Sequence, residues 1–436
     1  MVEISDNRGI AAQVRELVRR HNRWFEDCIP MIASENLLSP LAREMLISDF
    51  CDRYAEGQPG RRYYQGLIYI DEVERICTNL AKKLFRCCHA DVRPISGTTA
   101  NIATLFALTN PGDIITTCAL TDGAHISTAK FGAVGIRGVN TVTYPFDTEN
   151  MNIDVESTIK VIKSAKPKVA LFGLSVFLFP TPLKELKPVL DEVGAHVWYD
   201  GAHVLGLIAG GKFQDPLHEG AHVMTGSTHK TLPGPQHGII LSDQNDEKFL
   251  KKLESGVFPG VVSNHHLHAM AALAITLAES LEFGAEYAGK IIENAKSLAQ
   301  ALYERGFPVF CEHLDFTKSH TILVDVSKFG GGAQVAKLLE QANIIVNKNL
   351  LPHDDPKKPM NPSGIRLGTQ ELTRLGMDKT EMVQIAELMK KLIIDGKNPN
   401  EVKQEVRELK ANFKLIKYCF AKNSEAYKYY KLVEEI

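Results

Sequence analysis

Lys230 stands in the run Thr225-Gly226-Ser227-Thr228-His229-Lys230-Thr231-Leu232-Pro233-Gly234-Pro235, just past an apolar stretch. A lysine among hydroxyls and Gly/Pro turns is expected to be partly desolvated, which lowers its pKa as a Schiff-base nucleophile requires. The plainer alternative is a solvated loop lysine. Asp200 ends the apolar part of Trp198-Tyr199-Asp200-Gly201-Ala202-His203. Pyridoxal phosphate needs such a carboxylate against its ring nitrogen, so that the protonated ring accepts electrons from a substrate carbanion. A helix N-cap is the other reading of this aspartate. Ser96-Gly97-Thr98-Thr99-Ala100-Asn101 leads into an apolar helix predicted over 102–108. Backbone N–H groups, hydroxyls and a helix N-terminus make a phosphate cradle, or simply a Ser/Thr cap. In Pro362-Ser363-Gly364-Ile365-Arg366-Leu367-Gly368-Thr369 one arginine is framed by small residues. Its fork suits a substrate carboxylate, against the alternative of a surface ion pair.

Elements must bring these four pieces together. Short apolar runs over 113–118, 139–144, 168–174, 196–200, 222–226 and 238–241 alternate with amphipathic stretches, which predicts a mostly parallel sheet with helices on its faces. Several runs end in Ser175, Asp200 or the 227–230 segment, and ligands of open α/β sheets bind at those carboxyl ends. Upstream, Ile10, Val14, Leu17 and Val18 share one face of a predicted helix, and Ser39-Pro40 opens another. Downstream, Ala288, Ile291, Ala295, Leu298 and Leu302 mark a helix from Ala285 closed by Gly306 and Pro308. Strands predicted over 321–326 and 343–347 then give a small α+β unit. The turn Phe329-Gly330-Gly331-Gly332 lacks the Lys-Ser/Thr of a phosphate loop. The expected division is a helical arm over 1–46, a large domain over 47–280 and a small C-terminal domain over 281–436.

Composition narrows the class of partner. With 436 residues, 44% hydrophobic and 23% charged, the chain is long enough for two packed cores and is not a disordered type. Its 50 Lys+Arg against 52 Asp+Glu leave a formal charge of -2, so no global field draws nucleic acid. The longest apolar stretch, 169–180, is interrupted by Gly173 and Ser175 and is too short for a bilayer span. The opening MVEISDNRGI is unlike a signal peptide, so a cytoplasmic protein is expected. Eight cysteines without C-x-x-C spacing predict no metal site, and Cys87 and Cys88 read as small buried hydrophobes.

In this order and spacing the four pieces resemble serine hydroxymethyltransferase, a fold-type-I pyridoxal phosphate family. The resemblance runs collinearly through Met31-Ile32-Ala33-Ser34-Glu35-Asn36, Arg53-Tyr54-Ala55-Glu56-Gly57, Pro59-Gly60-Arg61-Arg62-Tyr63-Tyr64 and Ile70-Asp71-Glu72-Val73-Glu74. It continues through Val257-Phe258-Pro259-Gly260 and Val346-Asn347-Lys348-Asn349, and so spans nearly the whole chain. The implied fold is α/β, with a mostly parallel seven-stranded sheet in the large domain, a smaller α+β C-terminal domain and an N-terminal helical arm. The resemblance implies that Lys230 bonds the cofactor, Asp200 meets its pyridine nitrogen and Ala202 lies under its ring. By the same resemblance Gly97 and Thr98 bind its phosphate, Ser175 and His203 its phenolic oxygen, and His125 stacks on the ring. Arg366, with Ser34 beside it, would hold the amino acid carboxylate. Tyr54, Glu56 and Tyr64 would reach in from a partner subunit, so the active unit is a homodimer, with Glu56 the general acid/base. Leu120, Ile126 and Asn349 would line the site of a reduced pterin, which takes the side-chain carbon of serine and leaves glycine.

Two departures stand out. The arginine and paired glycines that follow Gly-Pro in the family are replaced by Gln236-His237-Gly238. The glycine-rich continuation after Pro259-Gly260 is replaced by Val261-Val262-Ser263-Asn264-His265-His266, where Asn264 and His265 are expected as substitute phosphate donors. These features, with Ser34 after Met-Ile-Ala, look most like archaeal members, some of which use tetrahydromethanopterin in place of tetrahydrofolate. A pterin-independent aldolase acting on threonine-like substrates, and a catalytically silent cofactor-binding protein, are the rival readings.

Overall fold

Seven strands pair in the order His89–Asp91, Gly238–Ser242, Val223–Ser227, His196–Asp200, Val169–Phe172, Ile114–Thr117 and Asn140–Thr143. The computed structural model describes residues 7–356 and 359–434. Six of these strands lie within two residues of their predicted bounds. The seventh, His89–Asp91, is a three-residue edge strand too short and polar to show as an apolar run. The four pairings from Val223–Ser227 to Asn140–Thr143 are parallel, whereas Gly238–Ser242 runs antiparallel to both of its neighbours.

Side chains alternate across this sheet, as a strand's period of two dictates. Ala170, Phe172, Val197 and Tyr199 enter one apolar core, while Val169, Leu171, Trp198 and Val223 enter another on the opposite face. Both faces are thus covered by helices, which is why these strands read as nearly continuous apolar runs. From the adjacent strands Ile114–Thr117 and Val169–Phe172 the chain works outward in opposite directions. That reversal opens a crevice at the strands' carboxyl ends.

The second unit is built on an antiparallel sheet ordered Thr321–Asp325, Gly364–Gly368, Asn347–Asn349. The single strand predicted over 343–347 is in fact two pieces, because the chain changes partners at Val346. Ile344–Ile345 pairs in parallel with Ile29–Pro30, and Asn347–Asn349 joins the sheet. Ile29 and Met31 therefore enter the second unit's core with Leu339, Ile365 and Leu367.

One helix, Leu267–Glu304, belongs to both units. It starts well before the predicted Ala285, because residues such as Ala271, Ala272, Leu273 and Thr276 are buried and leave no polar face to betray a period. Its residues up to Ile291 pack in the large unit's core, and those from Ala295 pack in the second core. The expected division after residue 280 falls inside this continuous helix.

The helix Asn7–Glu26 buries no residue, and Val14, Leu17 and Val18 face solvent. Ser39 caps Pro40–Leu46 by accepting from the Ala42 amide at 3.3 Å. No helix among the described residues is long and apolar enough to cross a membrane. Cys87 is buried as expected, but Cys88 is exposed.

Candidate active site

Lys230 follows the strand Val223–Ser227 by three residues and is buried. Hydroxyls on either side pin its loop: Thr228 Oγ1 donates to Pro235 O at 2.7 Å, and Thr231 Oγ1 to His203 O at 2.8 Å. The Lys230 carbonyl accepts from Asn36 Nδ2 at 2.6 Å, while its amine has no hydrogen-bond or ion-pair partner among the described residues. Burial lowers the ammonium pKa to about 8, with Asp200 opposing the shift and Arg366 adding to it.

Asp200 ends the neighbouring strand His196–Asp200. Its Oδ1 accepts from the Ala202 amide at 3.0 Å, a local turn in place of the helix cap considered from sequence. Its Oδ2 accepts from Asn101 Nδ2 at 2.8 Å. Asn101 in turn takes a hydrogen bond from Thr225 Oγ1 at 2.8 Å, and Thr225 takes one from Trp198 Nε1 at 2.9 Å. All four side chains are buried, so this directed chain satisfies groups whose isolation would cost about 1–3 kcal/mol each. Sequence reasoning assigned Asn101 no role; the available signal was an amide at the mouth of an apolar helix. Gly173, at φ +143°, is needed beside Asp200, because a Cβ there would overlap the Asp200 backbone.

The helix carrying Asn101 begins at Gly97, five residues before the apolar stretch that predicted it. Ser96 Oγ caps it by accepting from the Thr99 amide at 3.0 Å. The Gly97 and Thr98 amides have no acceptor among the described residues, so two donors point out of a helix N-terminus. A Cβ at Gly97 would overlap Ser227 Oγ, which shows how closely this N-terminus meets the lysine strand.

Two imidazoles approach the same strand ends. His125 Nδ1 accepts from the Ser127 amide at 3.2 Å, so the neutral ring carries its proton on Nε2, and burial lowers its pKa. His203 is buried against His320, centroids 5.7 Å apart, and its Nδ1 has no partner among the described residues. Burial holds the His203 pKa well below the ordinary range, helped by Lys230 and Arg366. Ala202 and Ser175 are half-buried beside these groups.

Arg366 lies on the central strand of the second sheet and is buried. Nη1 donates to Ser175 O at 2.7 Å and Nε to Asn347 Oδ1 at 3.3 Å. Desolvation lowers its pKa to about 10, and no acid pairs with it among the described residues. The surface ion pair considered from sequence is therefore excluded. Ser34, half-buried, comes to this strand because the Gly368 amide donates to Met31 O at 2.8 Å, and only a glycine fits against Ala33.

A second cluster gathers Tyr54, Glu56, Tyr64 and Ser263. Ser263 Oγ donates to Glu56 Oε1 at 2.6 Å, and Tyr54 OH lies 2.7 Å from Ser263 Oγ, with the Tyr54 and Tyr64 rings 4.9 Å apart. No arginine pairs with Glu56 among the described residues; Arg62 bonds Asp71 at 2.8 Å and Glu74 at 2.5 Å instead. Tyr54 and Tyr64 border an open cleft of about 510 Å³ and remain exposed. Among the described residues no hydrogen bond, ion pair or ring contact joins this cluster to Lys230.

The loop that departs from the resemblance makes internal hydrogen bonds through the two residues expected as phosphate donors. Asn264 accepts from the Ala55 amide at 2.8 Å and donates to Arg53 O at 3.1 Å, and buried His265 bonds Glu74 at 3.1 Å. Gln236 faces solvent, and buried His237 donates from Nε2 to Val92 O at 2.7 Å. Of the remaining candidates, Leu120 is half-buried, Ile126 is exposed beside His125, and Asn349 donates to Leu350 O at 2.6 Å.

Comparison with known proteins matches residues 8–389 to the family described as serine hydroxymethyltransferase. A Thermoplasma volcanium protein of that name is 56% identical over 423 residues, covering 97% of this chain and 99% of its own. Proteins of the same name from Methanopyrus kandleri and Methanothermobacter marburgensis are each 53% identical. These alignments cover 96% and 98% of this chain and 97% and 99% of theirs.

Proposed function

We propose roles for these residues from one premise: the chain belongs to the serine hydroxymethyltransferase family. It is a pyridoxal-phosphate-dependent transferase that interconverts serine and glycine, with a reduced pterin as one-carbon carrier. Among the described residues the groups present fit that cofactor: an amine without a partner at Lys230, acceptor-free amides at Gly97 and Thr98, and an unpartnered buried nitrogen on His203. Bound pyridoxal phosphate supplies an electron sink for the bond broken at the substrate's α-carbon.

In this reading Lys230 bonds the cofactor, and Asp200, held by Asn101 and the Ala202 amide, keeps a proton on the ring nitrogen. Gly97 and Thr98 take the phosphate, and Tyr54 of the partner subunit meets the cofactor. Ser175 and His203 address the phenolic oxygen, while His125 and Ala202 lie against the ring. Arg366 and Ser34 anchor the substrate carboxylate, and Leu120, Ile126 and Asn349 line the pterin site. The observation that carries the reading is a buried arginine with no acid paired to it among the described residues, near a buried lysine of lowered pKa. An unpaired buried cation is costly, and an incoming carboxylate offsets that cost with charge-assisted hydrogen bonds.

The working form is proposed to be a cytoplasmic homodimer in which Glu56 and Tyr64 serve the neighbouring site. The separation of their cluster from Lys230 within one chain and the exposed apolar face of Asn7–Glu26 support this. The proposed units are the arm over 1–46, docked through Ile29 and Met31, the cofactor unit over 47–280 and the small unit over 281–436.

Among the described residues only Oε1 of Glu56 is bonded, which leaves Oε2 to take and return a proton. Glu56→Gln is expected to retain the cofactor and to lower pterin-dependent turnover about 10²-fold. Steady-state rates beside the cofactor's absorbance check this, and unchanged turnover removes Glu56 from the mechanism. Cofactor capture needs the neutral amine of Lys230. Its rate in stripped protein should therefore climb about tenfold per pH unit up to about 8 and then level. Stopped-flow absorbance from pH 6 upward reads this; a rate still climbing at pH 10 would contradict the lowered pKa.

Serine–glycine exchange assayed with tetrahydrofolate, with tetrahydromethanopterin and with neither tests the function as a whole. Pterin-dependent exchange is expected. Glycine release from threonine without any pterin response would identify the aldolase instead, and no turnover by cofactor-loaded protein would identify a silent binder.

A further inference from the structure

Lys230 and Arg366 hang on different sheets, yet they must grip one small amino acid at two points. The amino and carboxylate groups of that substrate flank a single carbon, so the spacing of the two anchors is tightly constrained. A misplacement of about 1 Å can cost about 10² in rate.

A set of hydrogen bonds, closed into a ring through the backbone of residues 32–36, links the Lys230 loop to the turn that follows the Arg366 strand. Asn36 Nδ2 donates to Lys230 O at 2.6 Å and to Tyr287 OH at 2.9 Å. The Tyr287 hydroxyl donates its one proton to Gln370 O at 2.7 Å. Gln370 Nε2 then donates to Ile32 O at 2.8 Å and to Glu35 O at 2.7 Å, clamping the segment that holds Ser34 and leads back to Asn36. Every side-chain N–H and O–H of the three residues is used. Tyr287 and Gln370 are buried, and Gln370 follows Arg366 by four residues. Tyr287 projects from the shared helix Leu267–Glu304, whose regular backbone gives the ring a rigid member.

We propose that Asn36 and Tyr287 are positioning residues that set the separation of Lys230 from Arg366 and Ser34, and so tune recognition of substrates that carry both an amine and a carboxylate. The inference rests on the serine–glycine reading of the site. Neither residue touches the reacting atoms; both act through the backbone of groups that do.

The test compares glycine, which uses both anchors, with methylamine, which has no carboxylate, each titrated into cofactor-loaded protein by the absorbance change. Tyr287→Phe removes only the hydroxyl and keeps the ring against Tyr418, 5.0 Å away. It is expected to raise the glycine Kd about tenfold and to leave the methylamine Kd within twofold. Asn36→Ala, which breaks the ring at another member, should reproduce that split. Equal weakening of both ligands, or no change in either, would overturn the proposal, since a merely structural role does not distinguish them. Absence of any response to glycine in the unmutated protein would overturn the serine–glycine reading and this inference with it.

Discussion

Lys230→Ala is expected to lower serine–glycine exchange by about 10⁴-fold and to abolish borohydride-stable attachment of the cofactor. The physical reason is local. Burial at the end of Val223–Ser227 brings the ammonium pKa to about 8, so a useful fraction is a neutral nucleophile near neutrality. No neighbour can replace it. His229 is the adjacent candidate, but burial lowers its pKa to about 4, and an imidazole forms no stable imine. Thr228 and Thr231 have their hydroxyls turned to Pro235 O and His203 O. Mass spectrometry after reduction and steady-state exchange together check this; a variant that keeps a tenth of the activity would remove Lys230 from its role.

Arg366→Ala should cut kcat/KM for serine about 10³-fold, most of it through KM. Truncating one partner of a buried, hydrogen-bonded charge pair costs about 2–5 kcal/mol, and 1.4 kcal/mol is a factor of ten. Arg366→Lys keeps the charge without the planar fork and should recover only part of the loss. Stability is expected to move the other way from activity. Without substrate, the guanidinium is a buried cation held, among the described residues, by Ser175 O and Asn347 Oδ1, and desolvation already lowers its pKa to about 10. Removing an uncompensated charge relieves that cost. The melting temperature of Arg366→Ala should therefore be at or above that of the parent. A drop of several degrees with unchanged KM would mean that the arginine is structural.

The sheet was legible because its strands are buried on both faces, which prints each as an apolar run. The pieces around Lys230, Asp200, Gly97 and Arg366 stood out for the same reason in reverse, as polar residues placed where apolar runs stop. What escaped was long-range pairing. Asn101 reaches Asp200 across 99 positions and Asn36 reaches Lys230 across 194, and nothing in the local sequence of an asparagine names its partner. The same gap hid the bonds of Asn264 and His265, which reach Ala55, Arg53 and Glu74. His89–Asp91 escaped because three residues carry too little alternation, and the start of Leu267–Glu304 because a helix buried all round has no period to read.

That helix has a consequence for how the protein fails. At 38 residues and about 1.5 Å per residue it runs about 57 Å, from the core under the lysine sheet into the core behind the arginine strand. There is no flexible hyphen between the two halves of the molecule at this junction, and a break in the middle of the helix strips apolar support from both. Protease nicking, heat and cold should thus disable cofactor capture and substrate recognition together, and a half-molecule cut at residue 280 would inherit a severed beam with its core-facing stripe bare.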